Sequence, residues 1–181
     1  MALPVEPEPV KLLVAILWAN ANALQLVLKR TVEFWGEIDF LGQDYLFDMT
    51  DYYESEMGRP LFRRLIAFRQ LVSPGMLVEV KLACNGLEDQ FRESAGRQLN
   101  LDSGYLDHNK MVLASAKGLG QKIYVAQGIY ADLVARFRQG RFQPFEWTFP
   151  DFKDGRYDEE LTNIRGLYLQ QLRNLHSGGS E

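Results

Sequence analysis

An uncharged apolar run, LLVAILWA at Leu12–Ala19, limits the folds open to this chain more than any other segment. Roughly 20 residues are needed to cross a bilayer, so the run predicts a buried strand over Lys11–Trp18 and not a membrane anchor. The segment ANAN follows, and a helix is predicted from about Ala23 to Trp35, which Gly36 can end in a left-handed conformation. A strand–loop–helix unit therefore opens the domain.

The middle of the chain continues this alternation of elements. Asp39–Asp48 predicts a second strand and Leu61–Val72 a third. In the next helix Ser73 can cap the first turn and Pro74 suits the first position. Apolar residues then recur at spacings of three and four, which is typical of a helix with one buried face. These residues are Leu77, Val80, Cys84, Leu87 and Phe91.

The second half favours hairpins and a final helix. RQLNLDSGYL predicts a short strand that runs into an Asp-Ser-Gly turn, and FEWTFPDF predicts an extended segment held out of helix by Pro150. A terminal helix is expected over Tyr157–Leu175. Further strands are predicted at Lys110–Lys117, Gln121–Val125 and Gly128–Arg136, with the first two joined around GLG.

These elements predict one α+β domain over residues 10–175. We expect a sandwich in which helices pack on a mainly antiparallel or mixed sheet, with a ferredoxin-like arrangement in its N-terminal half. Residues 1–9 contain PVEPEP, which favours an extended, flexible arm, and residues 176–181 are expected to be a flexible tail. The chain has one cysteine and no secretory signal, so we expect a cytoplasmic protein that does not bind membranes.

Charge is distributed unevenly along the chain. The net charge is -4, and Thr31–Gly58 contains eight acidic residues and no lysine or arginine. A nucleic-acid partner is therefore unexpected, because such binding depends on clustered cations. Two histidines and one thiol make a cysteine/histidine zinc site unexpected as well. Cys84 lies on the apolar stripe and is predicted to be a core residue.

The acidic stretch LFDMTDYYESEMG, at Leu46–Gly58, is the first candidate for chemistry. Either a strand or a helix here would bring carboxylates together, and hard cations such as Mg²⁺ prefer oxygen ligands. A solvated surface turn is the alternative. Arg59 and Arg63 follow at once and are predicted to pair with these carboxylates locally.

NLDSGYL is the second candidate. Asn100, Asp102 and Ser103 suit a turn that bonds its own backbone, but Asp102 is equally suited to be a metal ligand or a general base. Lysines follow at Lys110 and Lys117, and lysine is a good partner for phosphate. KGLGQK, at 117–122, lacks the phosphate-loop pattern and is predicted to be a hairpin turn whose amides could still hold an anion.

Several blocks in order resemble a bacterial family of unknown function. They are FWGEIDFLGQDYLFDMTDYYESEMG, NLDSGYL, KIYVAQGIYADL and WTFPDF, and the resemblance covers about Val10–Tyr168. Members are described as hypothetical proteins, some labelled GTP-binding, and no catalytic set comes with the resemblance. The family tends to have proline at the position of Ser103 and histidine near the position of Gln121. The chain contains neither a phosphate loop nor an NKxD motif.

The leading hypothesis is a pocket that joins the acidic stretch to NLDSGYL and binds a small phosphate- or nucleotide-like anion. Mg²⁺-assisted phosphoryl or nucleotidyl chemistry would follow. In this hypothesis the residues have the following roles: Asp48, Glu56 and Asp102 hold Mg²⁺; Asp48, Asp102 and Tyr130 are catalytic; Asn100, Tyr105, Lys110 and Lys117 bind the ligand.

The alternative is a non-enzymatic protein-interaction module. It would use FEWTFPDF as an exposed aromatic patch built on Trp147, Phe149 and Phe152, since aromatic residues are common anchors of protein interfaces. RNA binding is a third interpretation, which would require the arginines to line one groove with stacked tyrosines.

Overall fold

The fold was analysed in a computed structural model that describes residues 3–94 and 96–178. These residues form nine strands: β1 (Val10–Trp18), β2 (Ile38–Leu41), β3 (Tyr45–Leu46), β4 (Phe62–Val72), β5 (Leu99–Leu106), β6 (Lys110–Ser115), β7 (Ile123–Ala126), β8 (Ile129–Arg138) and β9 (Arg141–Pro144). They also form five α-helices: α1 (Ala21–Trp35), α2 (Glu54–Met57), α3 (Leu77–Gln90), α4 (Pro150–Lys153) and α5 (Asp158–Gly178).

The strands make one antiparallel sheet in the order β2-β4-β1-β5-β6-β8-β7, with β3 on β4 and β9 on β8. The α+β class and the antiparallel sheet predicted from the sequence are confirmed. The first half runs β1-α1-β2-β4-α3-β5, and its strands lie side by side as β5-β1-β4-β2. This is the ferredoxin-like arrangement that the sequence predicts.

Strand β1 lies inside the sheet, and its alternate residues enter two different cores. Leu12, Val14 and Ile16 pack with α1 and α3, whereas Leu13 and Ala15 pack on the face that α5 covers. Because successive side chains of a strand point to opposite faces, a strand buried on both sides reads as a continuous apolar run. The LLVAILWA segment therefore supplies a central strand of the sheet, and the sheet is the middle layer of a three-layer α/β/α domain.

Local signals fix the two helices that cover the first face. The side chain of Asn20 accepts hydrogen bonds from the backbone amides of Asn22 and Ala23, at 2.9 and 3.2 Å, and so caps α1. Gly36 ends that helix with a φ of 80°. A 3₁₀ turn at Pro74–Met76 precedes α3, and the Ser73 hydroxyl accepts the amide of Gly75 at 3.2 Å. No helix of the described residues is both long and apolar enough to span a membrane.

Helix α5 covers the second face and contacts the N-terminal segment. Its buried residues include Leu161, Ile164, Tyr168 and Leu172. Residues 3–9 have no regular secondary structure, and the Tyr168 hydroxyl donates to the Pro9 carbonyl at 3.2 Å. The helix continues to Gly178, so 176–178 of the predicted tail are helical. Residues 179–181 of that tail and residues 1–2 of the predicted arm lie outside the described residues.

Two predicted elements near the sheet edges differ from the structure. The strand predicted over Asp39–Asp48 is two short strands, β2 and β3, because the chain leaves the sheet where Glu160 of α5 accepts the Gln43 amide at 2.8 Å. FEWTFPDF is not an extended segment: residues 146–148 form a turn in which the Thr148 amide donates to the Phe145 carbonyl at 3.1 Å. Pro150 begins α4, since proline lacks the amide that a first-turn residue does not need.

Two predicted turns are also wrong, and both lie near the site described below. Asp102, Ser103 and Gly104 are inside β5, not in a turn, because the polar side chain of Asp102 pairs across the sheet with Arg63 and not with its own backbone. KGLGQK is not a hairpin turn between neighbouring strands. It joins β6 to β7, and β8 lies between those two strands.

Candidate functional site

A cleft opens where β5 and β6 separate. The two strands pair only at Gly104–Leu106 and Met111–Leu113, while β6 stays paired with β8 as far as Ser115. Gly104 is the last paired residue before the separation, and a Cβ there would overlap the Val112 carbonyl and lie 2.9 Å from the Leu113 Cα. Beyond it the strands leave a cavity of about 230 Å³, lined by residues of both.

Helix α3 completes the hydrogen bonding of β5 on the side that β6 has left. The Leu101 amide donates to Oε1 of Glu88 at 2.8 Å, and Nζ of Lys81 donates to the Leu101 carbonyl at 2.9 Å. Both side chains are buried, and burial raises the pKa of Glu88. Since an unpaired buried backbone group is costly, this pair stabilises the separated strand.

Arg97 forms one wall of the cleft and holds Glu56 outside it. Its Nη2 donates to Oε2 of Glu56 at 2.8 Å, and its Nη1 donates to Oδ1 of Asn100 at 3.1 Å. Hydrogen bonding to Arg97 lowers the pKa of Glu56. The Nδ2 atom of Asn100 is buried and has no hydrogen-bond partner among the described residues.

A fully buried arginine lies beneath the other side of the cleft. Nη2 of Arg63 donates to Oδ2 of Asp102 at 3.2 Å, and Nη1 lies 2.8 Å from Oδ2 of Asp151, in an ion pair not aligned as a hydrogen bond. The guanidinium also lies over the rings of Phe47 and Phe152, at 4.8 and 5.8 Å. Asp151 accepts a hydrogen bond from the Tyr157 hydroxyl at 3.0 Å, and burial raises the pKa of that hydroxyl.

Two lysines of the loop between β6 and β7 line the same cavity. Nζ of Lys117 donates to the Tyr52 hydroxyl at 3.2 Å and lies 4.7 Å from that ring's centre. Nζ of Lys122 donates to the Ser115 hydroxyl at 2.9 Å and lies 3.7 Å from Oδ2 of Asp132. Within the described part of the chain, Lys117 has no carboxylate within ion-pair distance.

An aromatic cavity of about 390 Å³ adjoins the cleft. Tyr52, Tyr53, Lys117 and Phe149 line both cavities. The two tyrosine rings meet edge to face with centres 4.9 Å apart. Burial, and next the charge of Asp102, raises the pKa of Tyr53 to about 12, so its hydroxyl stays protonated at neutral pH. The two cavities therefore offer a polar part and an aromatic part side by side.

The structure brings three of the predicted site residues together. Asn100, Asp102 and Lys117 line the cleft, and so do Tyr52 and Tyr53 of the acidic stretch. The two segments that the sequence analysis joined therefore meet, but through the tyrosines of the first segment and not through its carboxylates.

The three predicted metal ligands lie in different surroundings. Asp48 lines a separate cavity beside Arg59, and its side chain is 61% exposed, 3.6 Å from Nη2 of Arg156. Glu56 pairs with Arg97, and Asp102 pairs with Arg63. Residues 3–94 and 96–178 contain no group of three or more histidine, cysteine, aspartate or glutamate side chains placed to hold a metal ion. Mg²⁺ binding stays a prediction.

The other predicted site residues do not line the cleft. Lys110 pairs with Asp107 in the turn at the far end of the β5–β6 hairpin. Tyr105 packs in the small apolar cluster beneath α3, and burial raises its pKa. The Tyr130 ring packs on Gly118, where a Cβ would come within 2.6 Å of it. Tyr130 thus supports the loop that carries Lys117.

The sequence analysis missed several residues of the site. Arg63 was predicted to pair locally, which is wrong: its partners are Asp102 and Asp151, whereas Arg59 does pair locally with Asp51 at 2.8 Å. Asp132 is a charged residue inside a mainly apolar strand, and this pattern in the sequence could have indicated a site residue. Lys81 and Glu88 lie seven residues apart among the apolar positions of α3, and this spacing of two charged residues on a buried face is a second such signal.

The predicted aromatic patch is only partly exposed. Trp147 and Phe149 are each 40% exposed, but Phe152 is 6% exposed and belongs to the core under α5. The Trp147 indole donates to the Leu133 carbonyl at 2.9 Å, and its ring stacks on Phe145 with centres 4.8 Å apart. Cys84 is buried in the core beneath α3, as predicted.

Comparison with known proteins identifies a family. The sequence model described as "Domain of unknown function (DUF4416)" matches residues 8–168, which is most of the chain and includes every residue of the cleft. No curated protein and no solved structure matches the chain significantly. The chain therefore belongs to the DUF4416 family.

Proposed function

We propose that this protein binds a small anionic ligand, phosphate-like or nucleotide-like, in the cleft between β5 and β6. The observation that carries the proposal is that Lys117 and Asn100 line one cavity and that the buried Nδ2 atom of Asn100 has no hydrogen-bond partner among the described residues. A buried donor without a partner costs about 1–3 kcal/mol, so a ligand oxygen at Asn100 would recover free energy. Lys117 supplies a charge that no described carboxylate neutralises.

Lys122 supports the same proposal. It reaches the cavity from the other end of the 117–122 loop, and lysines are point-charge partners for phosphate oxygens. Asp132 lies 3.7 Å away, so it offsets part of that charge without a direct hydrogen bond. Asp102 is already paired with Arg63, so its charge opposes an anion less than a free carboxylate would.

Mg²⁺-assisted phosphoryl or nucleotidyl transfer is the reaction class that such a ligand would permit. Of the carboxylates predicted to hold Mg²⁺, Asp102 alone lines the cleft, and Asp132 is the other aspartate there. A phosphate group on the ligand would add the oxygen ligands that Mg²⁺ requires. The metal and the ligand should therefore be tested together.

The experiment is a thermal-shift panel of phosphate-bearing compounds with and without Mg²⁺, followed by calorimetry on those that stabilise the protein. A ligand at 100 times its Kd should add about 2.7 kcal/mol. Lys117→Gln should weaken its binding by roughly tenfold or more, since hydrogen bonds to charged groups contribute about 1.5–3 kcal/mol. Lys29→Gln, an exposed change on α1, is the matched control. The proposal fails if no compound stabilises the protein in either condition.

The protein-interaction alternative has less support. Phe152 is in the core and Phe149, although as exposed as Trp147, lines the cleft, which leaves Trp147 as the one exposed aromatic residue of the three that lies outside the cleft. A single aromatic residue of 40% exposure is far from the cluster of buried anchors found at protein interfaces. The structure therefore supports ligand binding better than it supports a protein-interaction role.

A further inference from the structure

We propose that the ligand is a ribonucleotide whose sugar hydroxyls donate hydrogen bonds to Asp102. This inference rests on the proposed function, because it identifies the compound class for the same cleft. It depends on three features: a fixed carboxylate, an adjoining aromatic cavity and the lysines described above.

Asp102 is held so that one oxygen remains for a ligand. Arg63 donates to Oδ2, and the Oδ1 atom has no hydrogen bond from any described residue. Arg63 cannot turn away easily, because it is fully buried between Phe47 and Phe152 and paired with Asp151. A carboxylate next to an arginine only accepts hydrogen bonds, so its partner on the ligand must be a donor.

The donor must belong to a molecule that also carries an anionic group. Lys117 and Asn100 require acceptor oxygens, whereas Asp102 requires a hydroxyl or an N–H. Inorganic phosphate carries P–OH groups at neutral pH and can meet both requirements, but it leaves the adjoining aromatic cavity empty. A ribose phosphate satisfies both, and an acidic residue that accepts from ribose hydroxyls is a recurrent solution in nucleotide sites.

The adjoining cavity accounts for the third part of a nucleotide. Phe47, Met49, Tyr52, Tyr53 and Phe149 form its walls, and three of these rings also border the cleft. Bases stack on aromatic rings in nucleotide-binding proteins, and this stacking does not depend on which base is present. The structure therefore assigns phosphate to the lysines, the sugar to Asp102 and the base to the tyrosines.

The test compares ribose with deoxyribose on the full chain. Calorimetry measures binding of the common ribonucleoside monophosphates, each against its deoxy counterpart, and of inorganic phosphate, with and without Mg²⁺. We expect the ribose form to bind about tenfold or more tightly than the deoxy form, because a hydrogen bond to a charged group is lost. Asp102→Asn should reduce this preference, while Asp44→Asn, another arginine-paired aspartate outside the cleft, should keep it.

The outcomes separate this inference from the proposal beneath it. Equal affinity for ribose and deoxyribose forms overturns the role of Asp102 but leaves anion binding intact. If Mg²⁺ strengthens the binding of both sugar forms equally and neither form is preferred, the role of Asp102 is also overturned, because Asp102 would then bind the metal. No binding by any compound overturns both. If Asp102→Asn fails to fold, the sugar comparison on the unaltered chain still decides.

Discussion

The Nη2 atom of Arg63 lies 3.2 Å from Oδ2 of Asp102, so a guanidinium without solvent access holds a carboxylate that faces the cleft. Arg63 is on β4 and Asp102 on β5, and β1 lies between these strands. The pair therefore reaches across a strand of the sheet. It ties the interior of the first half of the domain to the wall of the candidate site.

Arg63→Leu should lower the free energy of unfolding by about 3–5 kcal/mol, because it leaves Asp102 and the buried Asp151 without their cation. Urea denaturation measures the loss. Arg69→Leu is the control on the same strand: its pair with Glu37 is more than half exposed on both sides, so about 1 kcal/mol or less is expected. Equal losses in the two variants would contradict a special role for Arg63.

The free energy of unfolding of Glu160→Gln should increase relative to that of the natural chain as pH rises. Burial raises the pKa of Glu160 above 4.5, so the folded protein prefers the protonated carboxyl. Its stabilising contribution is complete below that ordinary value and is lost as pH rises through the folded-state pKa. Glutamine keeps the bond from the Gln43 amide and has no charge to bury.

Urea denaturation below pH 4.5 and at neutral pH measures this difference. Glu159→Gln, the exposed neighbour on α5, is the control and should change stability by no more than about 0.5 kcal/mol at either pH. A Glu160→Gln difference that does not change with pH would mean that the buried carboxyl is not titrating in the expected range.

The first half of the fold could be predicted because its signals are local. The apolar run of β1, the Asn20 and Ser73 caps and the apolar stripe of α3 each depend on residues close in sequence. Together they imply the order of elements in a ferredoxin-like unit. Pairing in the second half is not local: β6 and β7 follow each other in the chain, yet β8 lies between them.

The candidate site could be predicted only in part for the same reason. NLDSGYL contains good turn formers, and turn chemistry was the reasonable local interpretation. The segment stays in β5 because Asp102 pairs with Arg63, which is 39 positions away in the sequence. The carboxylates of the acidic stretch pair with nearby and distant arginines, so only its tyrosines reach the cleft.

Cys84 should resist thiol reagents in the folded protein at mildly alkaline pH. It is fully buried, and burial raises the pKa of its thiol to about 12, so little of the reactive thiolate is present. Modification should become complete in denaturing urea. Leu119→Cys in a Cys84→Ala background places a thiol at a position that is 75% exposed, and it should react at once without denaturant. Fast labelling of native Cys84 would show that this part of the core opens.

Gly104→Ala should destabilise the protein and disturb the cleft. The added Cβ would overlap the Val112 carbonyl and lie 2.9 Å from the Leu113 Cα, so the strands must move apart where they are last paired. Overpacking of this kind costs about 1–3 kcal/mol. Gly86→Ala is the matched control: it lies exposed in α3 with no atom within 4 Å of a new Cβ, and it should gain about 0.5–1 kcal/mol. Urea denaturation compares the two variants. A loss at Gly86 as large as that at Gly104 would contradict the close approach of β5 and β6 as the cause.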